Sequence, residues 1–291
     1  MKASSGLDSD QSSFCVYSLK ISFYVDILVR TYDNMTVPAA GALASKMKYW
    51  REASTLILLS TKSKKGVSPN FVVSEDLEAK GQNMELLLLK RSSKSSFMPN
   101  QYVFPGGVAD NADFHPHWIE IFRFLCRDRK MGVFEYLNQK HMEATPLFNR
   151  ARHGDFCHIP AEVAFRLAAI RETFEESGIL LCRPARPTSY RHMNERLFTW
   201  NERSFAKYVT DMDLIKKWRP LVQKDAEKFI EMCEEEHLIP DIWSLYEWSQ
   251  WLTPLNSKKR FDTAFYVCAI DGDERPPVQE DAGEMVHTQV K

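Results

Sequence analysis

Apolar residues along this chain fall into short runs and one long helical stripe. Ala53 to Ser60 is nearly continuous in apolar and small residues, bounded by charge on one side and a polar Lys62–Ser68 stretch on the other, which predicts a strand. A short excursion follows to about Gln82. Met84 to Arg91, with four successive leucines, predicts a second strand, and Gln101 to Phe104 a third. From Ala161 to Ser177 the period changes: Val163, Leu167, Ile170 and Phe174 recur at helical spacing. Pro160 suits the first turn of that helix, where a missing N–H is harmless, and Gly178 suits the left-handed residue beyond its end. Phe205 to Met212 and Lys224 to Glu236 read as helices, with a Pro-rich exit at Arg183 to Pro187 before them. Tyr246 to Leu252 and Phe261 to Ile270 alternate or run apolar as strands do. Pro276-Pro277 marks a loop, and Met285 to Val290 begins a further strand. There is no internal repeat. Short strands around one central amphipathic helix predict an α/β fold.

Opposite the apolar stripe lies the most informative segment, Arg171-Glu172-Thr173-Phe174-Glu175-Glu176-Ser177-Gly178. Glu172, Glu175 and Glu176 stand at i, i+3 and i+4 and share one helix face. Like charges so close are costly unless something positive sits over them, and a divalent cation with oxygen ligands answers that need. Arg171 lies beside Glu175 at i+4 and is placed to hold that carboxylate. The bland reading, a solvated acidic face, is ordinary for a charge run taken alone.

Upstream, Leu86-Leu87-Leu88-Leu89-Lys90-Arg91 leads through a polar link to Gln101-Tyr102-Val103-Phe104-Pro105-Gly106-Gly107. Paired glycines after a strand let backbone come close to a phosphate or to another element; alone, they would mark a plain turn.

Together the two segments resemble the Nudix box of the Nudix hydrolase superfamily, a strand ending in Gly-Gly followed by the pattern R-E-(apolar)-x-E-E-x-G. Thr173 stands where an aliphatic residue is usual. The upstream segment also resembles the signature of coenzyme A diphosphatases in that superfamily. Leu87, Leu88, Arg91, Ser92, Phe104, Pro105, Gly106 and Gly107 match it, whereas Leu89, Ser96 and Asn100 replace a Thr, an Arg and a Gly. Losing the Arg removes a candidate phosphate fork. In a standard box the second Gly precedes the first Glu by six positions, and that Glu precedes the Arg by eight. With Glu162 taken as that residue, nine before Arg171, the box is split by an insertion at about 108–160. The insertion carries Trp118, Ile119, Phe122, Phe124, Leu125, Phe134, Tyr136 and Leu137, too apolar for a linker, and predicts one or two helices forming a lid or side wall. An insertion there, the Pro240–Pro254 segment and the strand from Arg260 to Phe265 resemble the peroxisomal-type acyl-coenzyme A diphosphatase subgroup.

The resemblance implies a Nudix-type α/β/α sandwich with a mixed sheet and a mainly helical insertion over residues 47–291. It implies Mg2+ or Mn2+ at Glu172, Glu175 and Glu176, with Arg171 beside them, and substrate contacts from Arg91, Phe104, Gly106 and Gly107. The implied reaction is hydrolysis of the diphosphate of coenzyme A or acyl-coenzyme A, giving adenosine 3′,5′-bisphosphate and (acyl-)phosphopantetheine. One of the glutamates, or Glu280, Asp281 or Glu284 from a C-terminal loop, would be the general base. Two other readings are a Nudix hydrolase of ADP-ribose or another nucleoside diphosphate sugar, and a catalytically inactive Nudix-fold binding protein. Relatives in the subgroup continue with another helix and often a peroxisomal C-terminal tripeptide. This sequence stops at Thr288-Gln289-Val290-Lys291, so a missing tail is expected; the resemblance implies a peroxisomal setting, with a cytosolic or mitochondrial one as the alternative where the tripeptide is lacking.

Composition narrows the partners. The 291 residues suit one large domain with extras, and a formal net charge of -1 gives no electrostatic footprint for nucleic acid. Six scattered cysteines without a Cys-x-x-Cys pair favour an intracellular, reducing setting. Residues 1–46 read as a poorly ordered extension; Phe14 to Val29 is too short and too interrupted by Lys20 and Asp26 for a membrane span. Asn34-Met35-Thr36 matches a glycosylation sequon by chance on this reading. His153, Cys157 and His158 offer zinc ligand types but no fourth partner, so a polar loop is the better reading. Trp243, Trp248 and Trp251 read as core, and Lys258-Lys259-Arg260 as a solvated turn before a strand.

Overall fold

The computed structural model describes residues 50–61, 71–72, 84–95, 99–123, 146–185, 205–271 and 285–287. The chain divides between Tyr49 and Trp50; the extension at residues 1–46 lies outside the described residues, as do Phe124 to Leu137 of the insertion, Ser96, and Glu280, Asp281 and Glu284.

The main sheet is built on two long strands, β1 (Arg51–Thr61) and a parallel partner at Phe261–Ile270. Its remaining strands are β2 (Phe71–Val72), β3 (Met84–Leu87) and Tyr246–Leu252. In order the sheet runs β2, β3, β1, Phe261–Ile270, Tyr246–Leu252, and Gly106–Val108 pairs antiparallel with the start of β1. Parallel and antiparallel pairs together make the sheet mixed, and the architecture is α/β. Alternation is clean on Phe261–Ile270: Asp262, Ala264, Tyr266, Cys268 and Ile270 are buried, and their neighbours are half-buried.

The strand expected over Met84 to Arg91 breaks at Leu88. Its first half, β3, joins the main sheet; its second half, β4 (Leu89–Arg91), pairs with β5 (Tyr102–Val103) and with Met285–His287 in a separate three-stranded sheet. A continuous leucine run satisfies burial in either sheet, so hydrophobicity carries no mark of the break. Gly106–Val108 is β6, an element the glycines had hidden.

The described parts of the insertion pack into the core. A 3-10 turn at Asn111–Phe114 leads into α1 (His117–Arg123), and the chain returns through Leu147 and Phe148 to a 3-10 turn at Gly154–Phe156. Phe114, Trp118, Phe122, Leu147, Phe148 and Ile159 are buried in the same cluster as the central helix. Trp118 donates from Nε1 to the Ala112 carbonyl at 2.8 Å, and Phe114 meets Phe165 edge-on at 5.9 Å.

The central helix, α2, spans Ala161–Ser177 as its stripe and termini predict, with Pro160 as N-cap and Gly178 at φ 77° closing it. Its two faces are not as simple as predicted. Thirteen of its residues are buried, because β6 and the 3-10 turn cover the acidic side while the sheet covers the other. Arg166 lies inside, donating to the Glu162 carbonyl at 2.7 Å and to Glu247 at 3.0 Å, with Tyr266 beneath it at 5.0 Å.

The stretch from Phe205 to Asp211 is extended rather than helical. Its backbone donors are taken elsewhere: Ala206 N–H by the Ala269 carbonyl, Lys207 N–H by Asp241 and Val209 N–H by the Leu180 carbonyl. Asp211 then caps α3 (Met212–Val222) by accepting from Asp213 and Leu214 N–H, and α4 (Glu227–Glu235) follows within the Lys224–Glu236 window. Cys182–Pro184, within the expected Pro-rich exit, is β7, paired with β8 (Leu238–Pro240); β9 (Tyr246–Leu252), β10 (Phe261–Ile270) and β11 (Met285–His287) complete the order. Trp243 is buried against Phe122, and Trp251 stacks on Phe265, so the tryptophans serve the packing.

Candidate active site

Site geometry begins with β1. Gly106 and Gly107 lie opposite Thr55 and Ser54, and Pro105 O accepts from Leu56 N–H at 2.9 Å. This hangs the glycine pair between β1 and α2. A Cβ on Gly106 would lie 2.6 Å from Thr55 Oγ1 and 2.7 Å from Thr55 Cα. One on Gly107 would lie 2.6 Å from Glu172 Oε1 and closer still to its other carboxylate atoms. Backbone makes glycine necessary at position 106, whereas at position 107 a side chain would displace the Glu172 carboxylate. Gly106 N–H donates to Glu176 Oε2 at 2.9 Å. The glycine pair thus presses on two of the three carboxylates of α2, one of the close approaches that paired glycines permit.

Arg171 gathers the remaining oxygens. Nε and Nη2 each reach Asp113 at 2.9 Å in a fork, Nη2 also reaches the Val108 carbonyl at 3.2 Å, and Nη1 reaches Glu172 at 3.0 Å and Glu175 at 2.6 Å. All five N–H donors of the guanidinium are used. The predicted Arg171–Glu175 contact is present.

Asp113 is the residue that sequence reasoning missed. It stands six positions after Gly107, the spacing of a standard box, and is held by a capping box in which Asp110 and Asp113 exchange side-chain and backbone hydrogen bonds. Glu162 does not reach Arg171; its carbonyl serves Arg166. The inserted chain therefore enters after Asp113, and Asp113 takes the place assigned to Glu162. The six-residue spacing from Gly107 was the signal, hidden because Asp is one methylene shorter than the Glu the pattern names.

Electrostatics follow from this crowding. Burial pushes the Glu172 carboxyl up to about 7, with Arg171 pulling the other way and Glu175 and Asp113 adding to the rise. Burial likewise raises Glu175. Burial works against the charge of Arg171 as well, but Asp113, Glu172 and Glu175 more than offset it and hold its pKa well above the ordinary value. Three carboxylates on one guanidinium, with Glu176 on the same helix, leave a local excess of negative charge in a poorly solvated place. Among the described residues no three His, Cys, Asp or Glu side chains converge on a single point. Arg171 holds Glu172 and Glu175, and the Gly106 N–H holds Glu176. The donor chemistry nonetheless fits a hard divalent cation, which takes one or two carboxylates together with phosphate oxygens.

The departures from the motifs have local explanations. Thr173 is fully buried, and its hydroxyl donates to the Ala169 carbonyl at 2.7 Å, so the polar atom is satisfied inside the helix. Asn100 sits at φ 61°, the left-handed region where Asn is the best substitute for Gly. Leu89 is a core residue. The last turn of α2 is tied from outside, with Arg219 Nε and Gln223 Nε2 of α3 both donating to the Glu175 carbonyl.

Phe104 is half-buried just before the glycines. Arg91 lies in the second sheet, where its Nε donates to Ser95 Oγ at 3.1 Å. His153, Cys157 and His158 form an exposed loop. Lys258 to Arg260 turn from β9 into β10, with Arg260 over the Trp50 ring at 5.3 Å.

Comparison with known proteins agrees with the geometry. The family described as NUDT19 Nudix domain matches residues 50–291. Acyl-coenzyme A diphosphatase NUDT19 of Xenopus laevis is 39% identical over 250 residues, 82% of this chain and 61% of that protein. The proteins of the same name from Gallus gallus and Homo sapiens are 37% and 32% identical, over 80% and 81% of this chain and 58% and 60% of theirs. The chain thus spans about three fifths of the length of these relatives. Nudix hydrolases work with divalent metal ions, in keeping with the acidic cluster on α2. With the glycine pair closed on Glu172 and Glu176, and Arg171 locked between Asp113 and the helix, the chain belongs to the Nudix hydrolases, in the branch of the NUDT19 Nudix domain.

Proposed function

We propose that this chain hydrolyses the diphosphate bond of coenzyme A and acyl-coenzyme A, giving adenosine 3′,5′-bisphosphate and (acyl-)phosphopantetheine. The activity in the names of its relatives supports the substrate class. The observation that carries the chemistry is the closure of Gly106 and Gly107 on Glu176 and Glu172, which brings half-buried peptide next to clustered carboxylates. Glu172, Glu175 and Glu176 would hold Mg2+ or Mn2+. Such an ion neutralises diphosphate charge and acidifies water.

The residues around it have separate tasks. Gly106 N–H orients Glu176, and Arg171 orients Glu172 and Glu175. Gly107, without a side chain, leaves room for Glu172. Phe104, Gly106 and Gly107 line the approach as substrate contacts, and Arg91 serves the substrate from the second sheet. A reducing, intracellular setting, peroxisomal on the family resemblance, suits the free thiols Cys157, Cys182, Cys233 and Cys268. Among the described residues no helix is long and apolar enough to cross a membrane.

The test incubates the purified chain with Mg2+ or Mn2+ and either coenzyme A or ADP-ribose, with Glu176→Gln as control and products identified by mass. Adenosine 3′,5′-bisphosphate from coenzyme A, absent with the variant, is the expected result. AMP from ADP-ribose alone moves the reading to nucleoside diphosphate sugars, and binding without turnover by the folded chain moves it to a binding role.

A further inference from the structure

A cleft of about 360 Å³ opens beside β6, lined by Val108 and Ala109 together with Arg51, Glu52, Arg150 and His153 among others. It adjoins the active site directly. Val108 O accepts from Arg171, the preceding Gly107 closes on Glu172, and Ala109 N–H donates to the Glu52 carbonyl at 3.0 Å. From Ser54, opposite Gly107, to Arg51 is three residues along β1, about 10 Å at the rise of a strand.

The acids in this cleft are already spent. Glu52 Oε1 accepts from Arg150 at 2.6 Å and from Arg152 at 3.1 Å, and its Oε2 accepts from Arg152 at 3.1 Å. Asp262, fully buried, accepts from Arg150 and from Gln250. Arg152 is spent too, since its other N–H groups go to the Phe148, Arg150 and Leu147 carbonyls. Arg150 is not: among the described residues two of its five N–H donors are engaged. Arg51 is exposed, and His153 caps its 3-10 turn without using its ring. What remains in the cleft is therefore hydrogen-bond donors and positive charge, the complement of an anion.

We infer that this cleft binds a phosphomonoester on the substrate, held by Arg51, Arg150 and His153 while the diphosphate lies at Glu172. On the coenzyme A reading, on which the identity of the ester rests, this is the ribose 3′-phosphate, one ribose away from the bond that is cut. The inserted chain then has a direct role, because it returns from the insertion to supply Arg150 and His153.

The test compares wild type with an Arg51→Gln/His153→Gln double variant, both side chains being exposed and Arg150 left in place to hold the strands. Titration calorimetry reads binding of adenosine 3′,5′-bisphosphate against AMP, and hydrolysis reads coenzyme A against dephospho-coenzyme A. Wild type is expected to prefer the 3′-phosphorylated member of each pair by about tenfold, and the double variant to lose most of that preference. An unchanged preference in a double variant with wild-type thermal stability overturns the inference, as does a wild type with no preference. The two readings fail separately. A preference in binding without turnover of coenzyme A removes the proposed reaction alone, whereas turnover with an unchanged preference removes the cleft alone.

Discussion

Asp113 and Arg171 lie 58 positions apart in the chain and meet in a two-bond fork, Nε to Oδ1 and Nη2 to Oδ2, both at 2.9 Å. The fork fixes the guanidinium plane, and that plane aims Nη1 at Glu172 and Glu175. Asp113→Asn keeps the shape but loses the charge. It is expected to weaken Mn2+ binding and lower kcat with little change in KM, with Asp113→Glu recovering part of both. Asp113→Ala, which leaves Arg171 buried with one anchor gone, is expected to cost about 3–5 kcal/mol in urea denaturation. Normal Mn2+ affinity in Asp113→Asn would show that the fork serves stability alone.

Gly107 has no room for a methyl group, since its Cβ would fall on the Glu172 carboxylate. The carboxylate sits at the end of a side chain and can be pushed aside, so Gly107→Ala should fold. Displacing Glu172 by about an ångström is expected to cost about 100-fold in kcat. Parallel thermal melts and turnover assays check this; a fully active, folded Gly107→Ala would refute the close approach.

Arg166 is buried on α2 between Glu247 and the ring of Tyr266. Arg166→Met removes the ion pair with Glu247, the donation to the Glu162 carbonyl and the contact with the Tyr266 ring, and is expected to destabilise the fold by about 3–5 kcal/mol. Because a buried carboxylate that loses its guanidinium is costly while charged, Arg166→Met/Glu247→Gln should recover part of the loss. Urea midpoints for the two variants decide the matter, and equal losses would place the cost in packing.

Burial pushes the Cys268 thiol from its ordinary 9.0 up to about 12, with Ser244 pulling slightly the other way. The folded-state pKa lies above the unfolded one, so the folded chain holds its proton where the unfolded chain has released it. The contribution to stability is full below about pH 9 and is lost as pH rises towards 12. Stability should therefore fall as pH rises from about 9 towards 12, and Cys268→Ala should make that fall shallower. Denaturant midpoints across this range, compared between wild type and variant, provide the check.

Local pattern was sufficient wherever burial and backbone geometry share one period. The 17 residues of α2, its ending at Gly178, and strands β1, β9 and β10 follow from apolar spacing and cap chemistry, because these depend on neighbours within one or two turns. The acidic triplet and the glycine pair were legible for the same reason: each is a dense local cluster of unusual residues. Long-range pairing decided the rest. The leucine run breaks at Leu88 because its two halves find different sheets, and Phe205 to Asp211 stays extended because Ala269, Asp241 and Leu180 claim its backbone donors. Asp113, six positions after Gly107, displaces Glu162 as the anchor of Arg171 because folding returns a distant turn to the helix, which settles which of the two acids meets the guanidinium. Residue spacing specifies which face a side chain takes; the partner it meets there is set by how the chain closes on itself, and that closure assembled the charge cluster around Arg171.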